Sequence, residues 1–504
     1  MSNHLIDSLR AGGADPARRC IETSDGAVLT YADLERRSAQ YAHALVMIGL
    51  KPGDRVAIHV EKSVETVLAY LGTVRAGGVF LPLNTAYTPP EVAYFLGDAQ
   101  PAIFVCDPLN EATLAPVAHA QGVGRIVTLG ADGQGTLRMA ADASRTRFDD
   151  VPRGPDDLAA LLYTSGTTGR SKGAMLSHAN LASNAQALVE TWRFSPDDVL
   201  IHALPIFHTH GLFVAINVTL MAGASMILLP RFDPERVLAL MGRASVLMGV
   251  PTFYVRLLTS PHLTRETTAG MRLFIAGSAP LLADTHRAWR VATGHAILER
   301  YGMTETNMNC SNPYEGERMA GTVGLPLPGV SLRVVAPESG EELGAGEIGM
   351  IEVKGPNVFK GYWRMPEKTA AEFHDGWFVT GDLGLIGPDG YVRIVGRGKD
   401  LVISGGFNVY PKEIETEIDA LPGVIESAVI GLAHPDFGEG VTAMVVAHPG
   451  AALDEPSVID ALHARLARYK CPKRVIFIDD LPRNAMGKVQ KNLLREQYKA
   501  LYGG

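Results

Sequence analysis

The run Tyr163-Thr164-Ser165-Gly166-Thr167-Thr168-Gly169-Arg170-Ser171-Lys172-Gly173 concentrates groups that could do chemistry. Its glycines permit tight turns in which backbone N–H groups converge on one point, its hydroxyls add donors, and Lys172 adds a positive charge. Such a set suits anionic phosphate oxygens. It is not a Walker loop, which needs Gly-x-x-x-x-Gly-Lys-Ser/Thr, because Ser171 precedes Lys172 and Gly173 follows it. On composition alone, an ordinary Ser/Thr/Gly turn fits the run equally well.

A phosphate turn needs rigid elements behind it, and the chain can supply them. Its 504 residues are 46% hydrophobic and 20% charged, enough for about three packed units or one large domain plus a smaller one. Collagenous and disordered classes are excluded. A net charge of −8 argues against a nucleic-acid partner, so any anionic ligand must be held by local groups. Charge is nonetheless uneven: residues 461–504 carry ten Lys or Arg against three acids, which reads either as a solvated basic face or as a basic lid over an acidic body. Cys20, Cys106, Cys310 and Cys471 lie far apart, which suggests neither a zinc site nor a disulfide framework and suits a reducing cytoplasm. Met1 to Arg19 lacks the apolar stretch of a secretory signal, so a cytoplasmic location is expected. The uncharged stretch from Gly211 to Pro230 is broken by Ala222-Gly223-Ala224-Ser225. It is expected to form a buried helix, a turn and a buried strand and not a membrane span.

Short apolar runs alternate with helical stretches: Arg55 to Val60, Ala102 to Cys106 and Leu273 to Ala276 read as central strands of parallel sheets. From about Val330 the texture changes. Ser331 to Val335, Gly349 to Val353 and Gly390 to Ile394 are closely spaced strands between Gly, Pro and Asp, which predicts an antiparallel, barrel-like subdomain. Beyond Gly396-Arg397-Gly398-Lys399-Asp400 the remaining residues suffice for a small α+β domain. The expected architecture is therefore α/β and α+β: a large N-terminal domain of parallel-sheet subdomains with a barrel-like subdomain, then a small C-terminal domain.

The phosphate run resembles that of the adenylate-forming superfamily, which includes the acyl-CoA synthetases, luciferases and peptide-synthetase adenylation domains. Further motifs follow in the family's order: Gly277-Ser278-Ala279-Pro280, Tyr301-Gly302-Met303-Thr304-Glu305-Thr306, Thr380-Gly381-Asp382-Leu383-Gly384, Gly396 to Leu401, Ser404 to Pro411, and Pro482 to Val489. The resemblance spans nearly the whole chain and implies a two-step reaction. A carboxylate attacks the α-phosphorus of ATP to give an acyl-adenylate and pyrophosphate, and the thiol of coenzyme A then displaces AMP. It implies that Thr164, Ser165, Gly166, Thr167, Thr168, Gly169 and Lys172 grip the β- and γ-phosphates. Thr304 would contact the α-phosphate and Glu305 would hold Mg²⁺. Asp382 would take the ribose hydroxyls with Arg397 beside it, and Gly277, Ser278, Ala279, Tyr301, Gly302 and Met303 would line the nucleotide. Lys488 matches the catalytic lysine, bridging the attacking carboxylate and the α-phosphate. Lys399 matches the hinge, giving residues 1–396 as the ATP- and acyl-binding domain, 397–399 as the hinge and 400–504 as a mobile lid. Ser404, Gly405, Gly406 and Phe407 would line a pantetheine tunnel. Taken singly, Asp382 could be a turn residue, Glu305 a surface carboxylate and Lys488 a solvated lysine.

For the acid itself, Arg300 stands immediately before Tyr301-Gly302 and Arg256 lies in Val250-Pro251-Thr252-Phe253-Tyr254-Val255-Arg256. Two arginines could fork onto a second carboxylate of the substrate, whereas an apolar acyl pocket would be penalised by an unpaired guanidinium. The combination resembles malonyl-CoA synthetases, which implies that Arg256, Arg300 and Ser278 hold the free carboxylate of malonate. His208 would stand at the pocket edge; the role of His210 is left open. Otherwise Arg256 is a helix-surface residue and Arg300 pairs with Glu299 or Glu305. Methylmalonate is a second expected substrate, since one methyl shifts binding by only about 1–3 kcal/mol. The alternatives are a synthetase for a monocarboxylic acid and a free-standing adenylation enzyme loading a carrier protein. A lysine acetyltransferase and a deacetylase acting on Lys488 are conceivable partners, because acetylation would remove its charge.

Overall fold

The computed structural model describes residues 2–164, 171–404, 407–484 and 487–503. Two parallel sheets covered by helices form its body. One has six strands in the order Ile126–Thr128, Ile103–Cys106, Arg55–His59, Val79–Pro82, Leu158–Thr164 and Lys172–Ser177; only the last pair is antiparallel. The other has nine strands and is parallel from Leu298–Met303 through Leu273–Ala276, Val246–Gly249, Val199–His202 and Ser225–Leu228 to Arg19–Thr23, with antiparallel strands added at both edges. Their central strands are buried on both faces, as continuous runs such as Leu273-Phe274-Ile275-Ala276 require.

Local chemistry fixes the helices that cover them. Tyr31–Ile48 begins with a capping box between Thr30 and Asp33 and ends at Gly49, whose φ of 108° an L side chain adopts poorly. Val64–Arg75 is buried along its whole length, capped by Ser63, and lies where its apolar residues meet the largest core cluster. The stretch after Gly211 forms a π-helix His210–Ile216, an α-helix Asn217–Met221 and the strand Ser225–Leu228, all buried, as the break at Ala222 to Ser225 predicts. Among the described residues no helix is long and apolar enough to cross a membrane. The four cysteines are free and buried.

A five-stranded antiparallel sheet follows, built on Ser331–Val335, Gly349–Lys354, Phe373–His374, Trp377–Ile386 and Val392–Arg397. The last strand starts two residues later than the Gly390 to Ile394 reading. Gly390 sits at φ 80° and the Tyr391 N–H bonds Oδ1 of Asp389, so this part of the run is still turn. The C-terminal sheet comprises Phe407–Val409, Val402–Ser404, Gly438–Ala447, Val424–His434 and Arg474–Phe477, with helices Pro411–Asp419, Glu455–His463 and Lys491–Tyr498 against it. Its core clusters are separate from those of the body.

Candidate active site

The strands end where the chemistry begins. Thr164 and Lys172 face each other across the antiparallel pair that flanks residues 165–170. Ser165, Gly166, Thr167, Thr168 and Gly169 lie outside the described residues. The Thr164 hydroxyl is buried without a partner among the described residues, while Nζ of Lys172 lies 3.1 Å from Glu372 and 4.1 Å above the Tyr362 ring. The Tyr362 hydroxyl joins this group to Glu305, 3.1 Å from its Oε1 and 2.8 Å from Oε2 of Glu372. Burial raises the Glu305 carboxyl, opposed by Tyr362, Arg397 and Lys172. Glu305 and Thr304 occupy the turn between Leu298–Met303 and Asn307–Ser311. That turn needs Gly302, since a Cβ there would meet the Asn307 carbonyl oxygen at 1.9 Å.

Asp382 and Arg397 are opposite each other in the antiparallel sheet, so register alone pairs them, with Nε 3.0 Å from Oδ1. The Tyr301 hydroxyl donates to the other oxygen at 2.6 Å. Lys488 closes on this group from the C-terminal part. Its pKa is pushed down to about 8, first by burial and then by Arg397, with Asp382 opposing. A tight turn presents it: the Lys488 N–H donates to Oδ1 of Asn484 at 3.0 Å, and Gly487 packs so closely on Thr252 that a Cβ would lie 3.2 Å from its methyl. Lys399 is exposed on the 3₁₀ turn Gly398–Asp400, its pKa lowered by desolvation and by Arg397. Ser404 is buried and pairs with Phe407, whose exposed ring stacks on Tyr469 at 4.6 Å; Gly405 and Gly406 lie outside the described residues.

A second group adjoins the strand Leu273–Ala276. Arg300 is only 3% exposed, its Nη2 donates to Oγ of Ser278 over a long 3.4 Å, and its buried Nε has no partner. Among the described residues no carboxylate pairs with it; Glu299 acts only at a distance and Glu305 bonds Tyr362 instead. Burial pushes Arg300 down to about 9, which leaves it charged at neutral pH. Nδ1 of His210 lies 3.3 Å from the same Ser278 hydroxyl, and its buried Nε2 has no partner. Burial and Arg300 hold His210 well below the usual imidazole range, so the ring is neutral. Space for the guanidinium comes from Gly277, whose Cβ would sit 2.5 Å from Cζ, and Ser278 itself takes φ 73°, a strained value for a non-glycine residue.

The structure does not bring Arg256 into this group. It is exposed on the helix Pro251–Leu258, its guanidinium 5.1 Å above Phe232, because its helical position faces away from the buried Tyr254 and Leu257. The two-arginine fork is thus reduced here to one buried arginine. His208, half-buried against Phe207, has its pKa lowered to about 4 by burial, and it is His210 that reaches Ser278. Glu299 was also missed as a site group: its Oε1 accepts from the Leu281 N–H at 3.1 Å, its Oε2 is buried alone, and burial raises its pKa to about 8. Only its place beside Arg300 could have signalled it.

The paired Asp382, Arg397 and Tyr301, faced by Lys488 from a loop of the C-terminal part, suit an adenylate-forming enzyme. The chain belongs to the AMP-binding enzyme family: residues 10–363 match the AMP-binding enzyme and residues 413–488 the AMP-binding enzyme C-terminal domain. Among solved structures it is similar to ATP-bound MatB from Rhodopseudomonas palustris, with 65% identity, full coverage of both chains and a TM-score of 0.98; apo MatB superposes at 0.87. A feruloyl-CoA synthase of Amycolatopsis sp is 38% identical over 479 residues, 94% of each chain. A mitochondrial malonate–CoA ligase of Mus musculus is 34% identical over 511 residues, 93% of this chain and 87% of that one.

The buried Glu299 carboxyl gives a pH prediction. Its folded pKa of about 8 lies above the unfolded value, so the folded protein holds a proton that the unfolded chain releases. Its contribution to stability is full in acid and declines as pH rises through about 8. Thermal midpoints of wild type and Glu299→Gln between pH 5 and 9 are expected to diverge, the wild type losing ground at alkaline pH; parallel curves would refute this.

Proposed function

We propose that the protein is an AMP-forming malonyl-CoA synthetase. Malonate and ATP give malonyl-adenylate and pyrophosphate, and coenzyme A then gives malonyl-CoA and AMP. The observation that carries the acid's identity is Arg300, a buried guanidinium with no carboxylate of its own. Burying such a charge beside an apolar acyl chain would cost several kcal/mol, which a second substrate carboxylate offsets. Ser278 and His210 complete the wall as hydrogen-bonding groups, with His208 at its edge; Arg256, stacked over Phe232 on the helix surface, takes no part in this reading. The similarity to MatB and to malonate–CoA ligase supports the same acid. Methylmalonate is the next acid proposed, and the feruloyl-CoA synthase relative makes a monocarboxylic acid the reading to test against.

In the adenylation step, Thr164, Lys172 and the glycine-rich run between them are proposed to bind the β- and γ-phosphates, Thr304 the α-phosphate, and Asp382 the ribose hydroxyls. Gly277, Ser278, Ala279, Tyr301, Gly302 and Met303 line the nucleotide. Lys488 neutralises charge growing between the attacking carboxylate and the α-phosphate. Glu305 fits Mg²⁺: it is a single buried carboxylate, and this hard ion commonly takes one or two carboxylates and completes its shell with phosphate oxygens and water. The ion would supply charge neutralisation at the phosphates. For the thioester step, residues 400–504 are proposed to turn about 397–399 at Lys399, withdrawing Lys488 and presenting Ser404 to Phe407 to the pantetheine arm of coenzyme A. Acetylation of Lys488 would silence adenylation by removing its charge.

Pyrophosphate release is to be compared for malonate, methylmalonate, succinate, acetate and a medium-chain fatty acid. Malonate is expected to lead, and Arg300→Ala to lower its kcat/KM by about 10²-fold or more, the cost of stranding a buried charge. A preference for acetate or the fatty acid, unmoved by Arg300→Ala, would make the arginine structural. Lys488→Ala is expected to lose about 10²–10³-fold in adenylation while converting supplied malonyl-adenylate to malonyl-CoA at the wild-type rate. Equal loss of both half-reactions would contradict the assigned role.

A further inference from the structure

Lys62 is buried in the loop between the strand Arg55–His59 and the helix Val64–Arg75, far in sequence from any motif. Its Nζ meets three acceptors: Nδ1 of His202 at 2.9 Å, the His202 carbonyl at 2.8 Å and the Leu204 carbonyl at 2.9 Å. Three acceptors need three N–H donors, so the group is an ammonium although burial favours its neutral form. With Nδ1 accepting, the His202 ring proton lies on Nε2, which donates to the Gly211 carbonyl at 2.8 Å. The ammonium and the imidazole therefore tie both ends of the stretch from His202 to Gly211. That stretch folds back on itself so tightly that a Cβ on Gly211 would lie 2.0 Å from the Pro205 carbonyl oxygen. His210, next to the tied Gly211, opens the π-helix and reaches Ser278.

We infer that Lys62 is the positioning residue of the acyl wall, fixing the stretch from His202 to Gly211 and thereby setting His210 against Ser278 and Arg300. Packing alone does not call for an ammonium here. An apolar side chain of similar size would fill the space without the desolvation cost, and what the charge adds is three directed bonds across two sheets. Its backbone is fixed in turn by the Ser63 cap and by the Thr66 hydroxyl, which donates to the Glu61 carbonyl at 2.8 Å. This inference rests on reading the wall as the seat of the second carboxylate of malonate.

The test measures KM for malonate and for ATP in wild type, Lys62→Met, His210→Ala and the double variant, with acetate as the control acid. Lys62→Met is expected to raise KM for malonate about tenfold, to leave KM for ATP within about twofold, and to add nothing on the His210→Ala background. A loss shared equally by malonate and ATP, or one additive with His210→Ala, would overturn it. Should Lys62→Met fail to fold, His202→Gln, which keeps an acceptor for Lys62 and an N–H for Gly211, is expected to retain the malonate KM that His202→Leu loses; equal values would again overturn it. A wild type without preference for malonate over acetate defeats the functional reading. A wild-type malonate preference together with an unchanged malonate KM in Lys62→Met defeats only the role of Lys62.

Discussion

A guanidinium buried without a counter-charge sets the terms for everything around it. Arg300 can occupy its place only because Gly277 lacks a Cβ, because Ser278 accepts a strained backbone, and because the neighbouring histidines stay neutral. Each of these is unfavourable or restrictive alone, and none would persist in a pocket selected for stability. Together they suit the anionic carboxylate proposed to bind there. The parallel sheet supplies the stiffness such an arrangement needs, since Leu273–Ala276 and Leu298–Met303 are neighbouring strands, with Ser278 just beyond the end of the first and Arg300 within the second.

The nucleotide side follows a different logic, in which charges are paired before the ligand arrives. Asp382 is held by Arg397 and Tyr301, Glu305 by Tyr362, and Lys172 by Glu372. Pairing fixes the geometry of these groups and leaves little to reorganise during reaction. The contrast between the paired residues proposed for the nucleotide and the unpaired arginine proposed for the acid is what supports a reading of the acid as well as of the chemistry.

Much of this was legible in the residues. The central strands were readable because burial on both faces forces continuous apolar runs, and the motif order identified the family. What escaped was whatever depends on direction. Arg256 and Arg300 look alike in sequence, yet one faces out from a helix over Phe232 and the other points into the protein from a strand. His208 and His210 are two residues apart, and only the start of the π-helix at His210 decides which ring meets Ser278. Lys62 carries no motif at all: its three acceptors lie about 140 residues away, and no local pattern encodes a contact of that range.

The place of Lys488 carries the last constraint. It stands near Arg397 and Lys399, which oppose its charge, and near Asp382 and Asp400, which favour it. The phosphates proposed to bind here would add to the favourable side. In the proposed cycle, closure and nucleotide binding would favour each other, each phosphate charge offsetting the two cations beside Lys488. On that reading, loss of pyrophosphate would weaken the hold on Lys488, which suits the proposed turn of residues 400–504 for the thioester step. A lysine built into the rigid body could not use this cycle; one carried on a separate core, near the end of the chain, can.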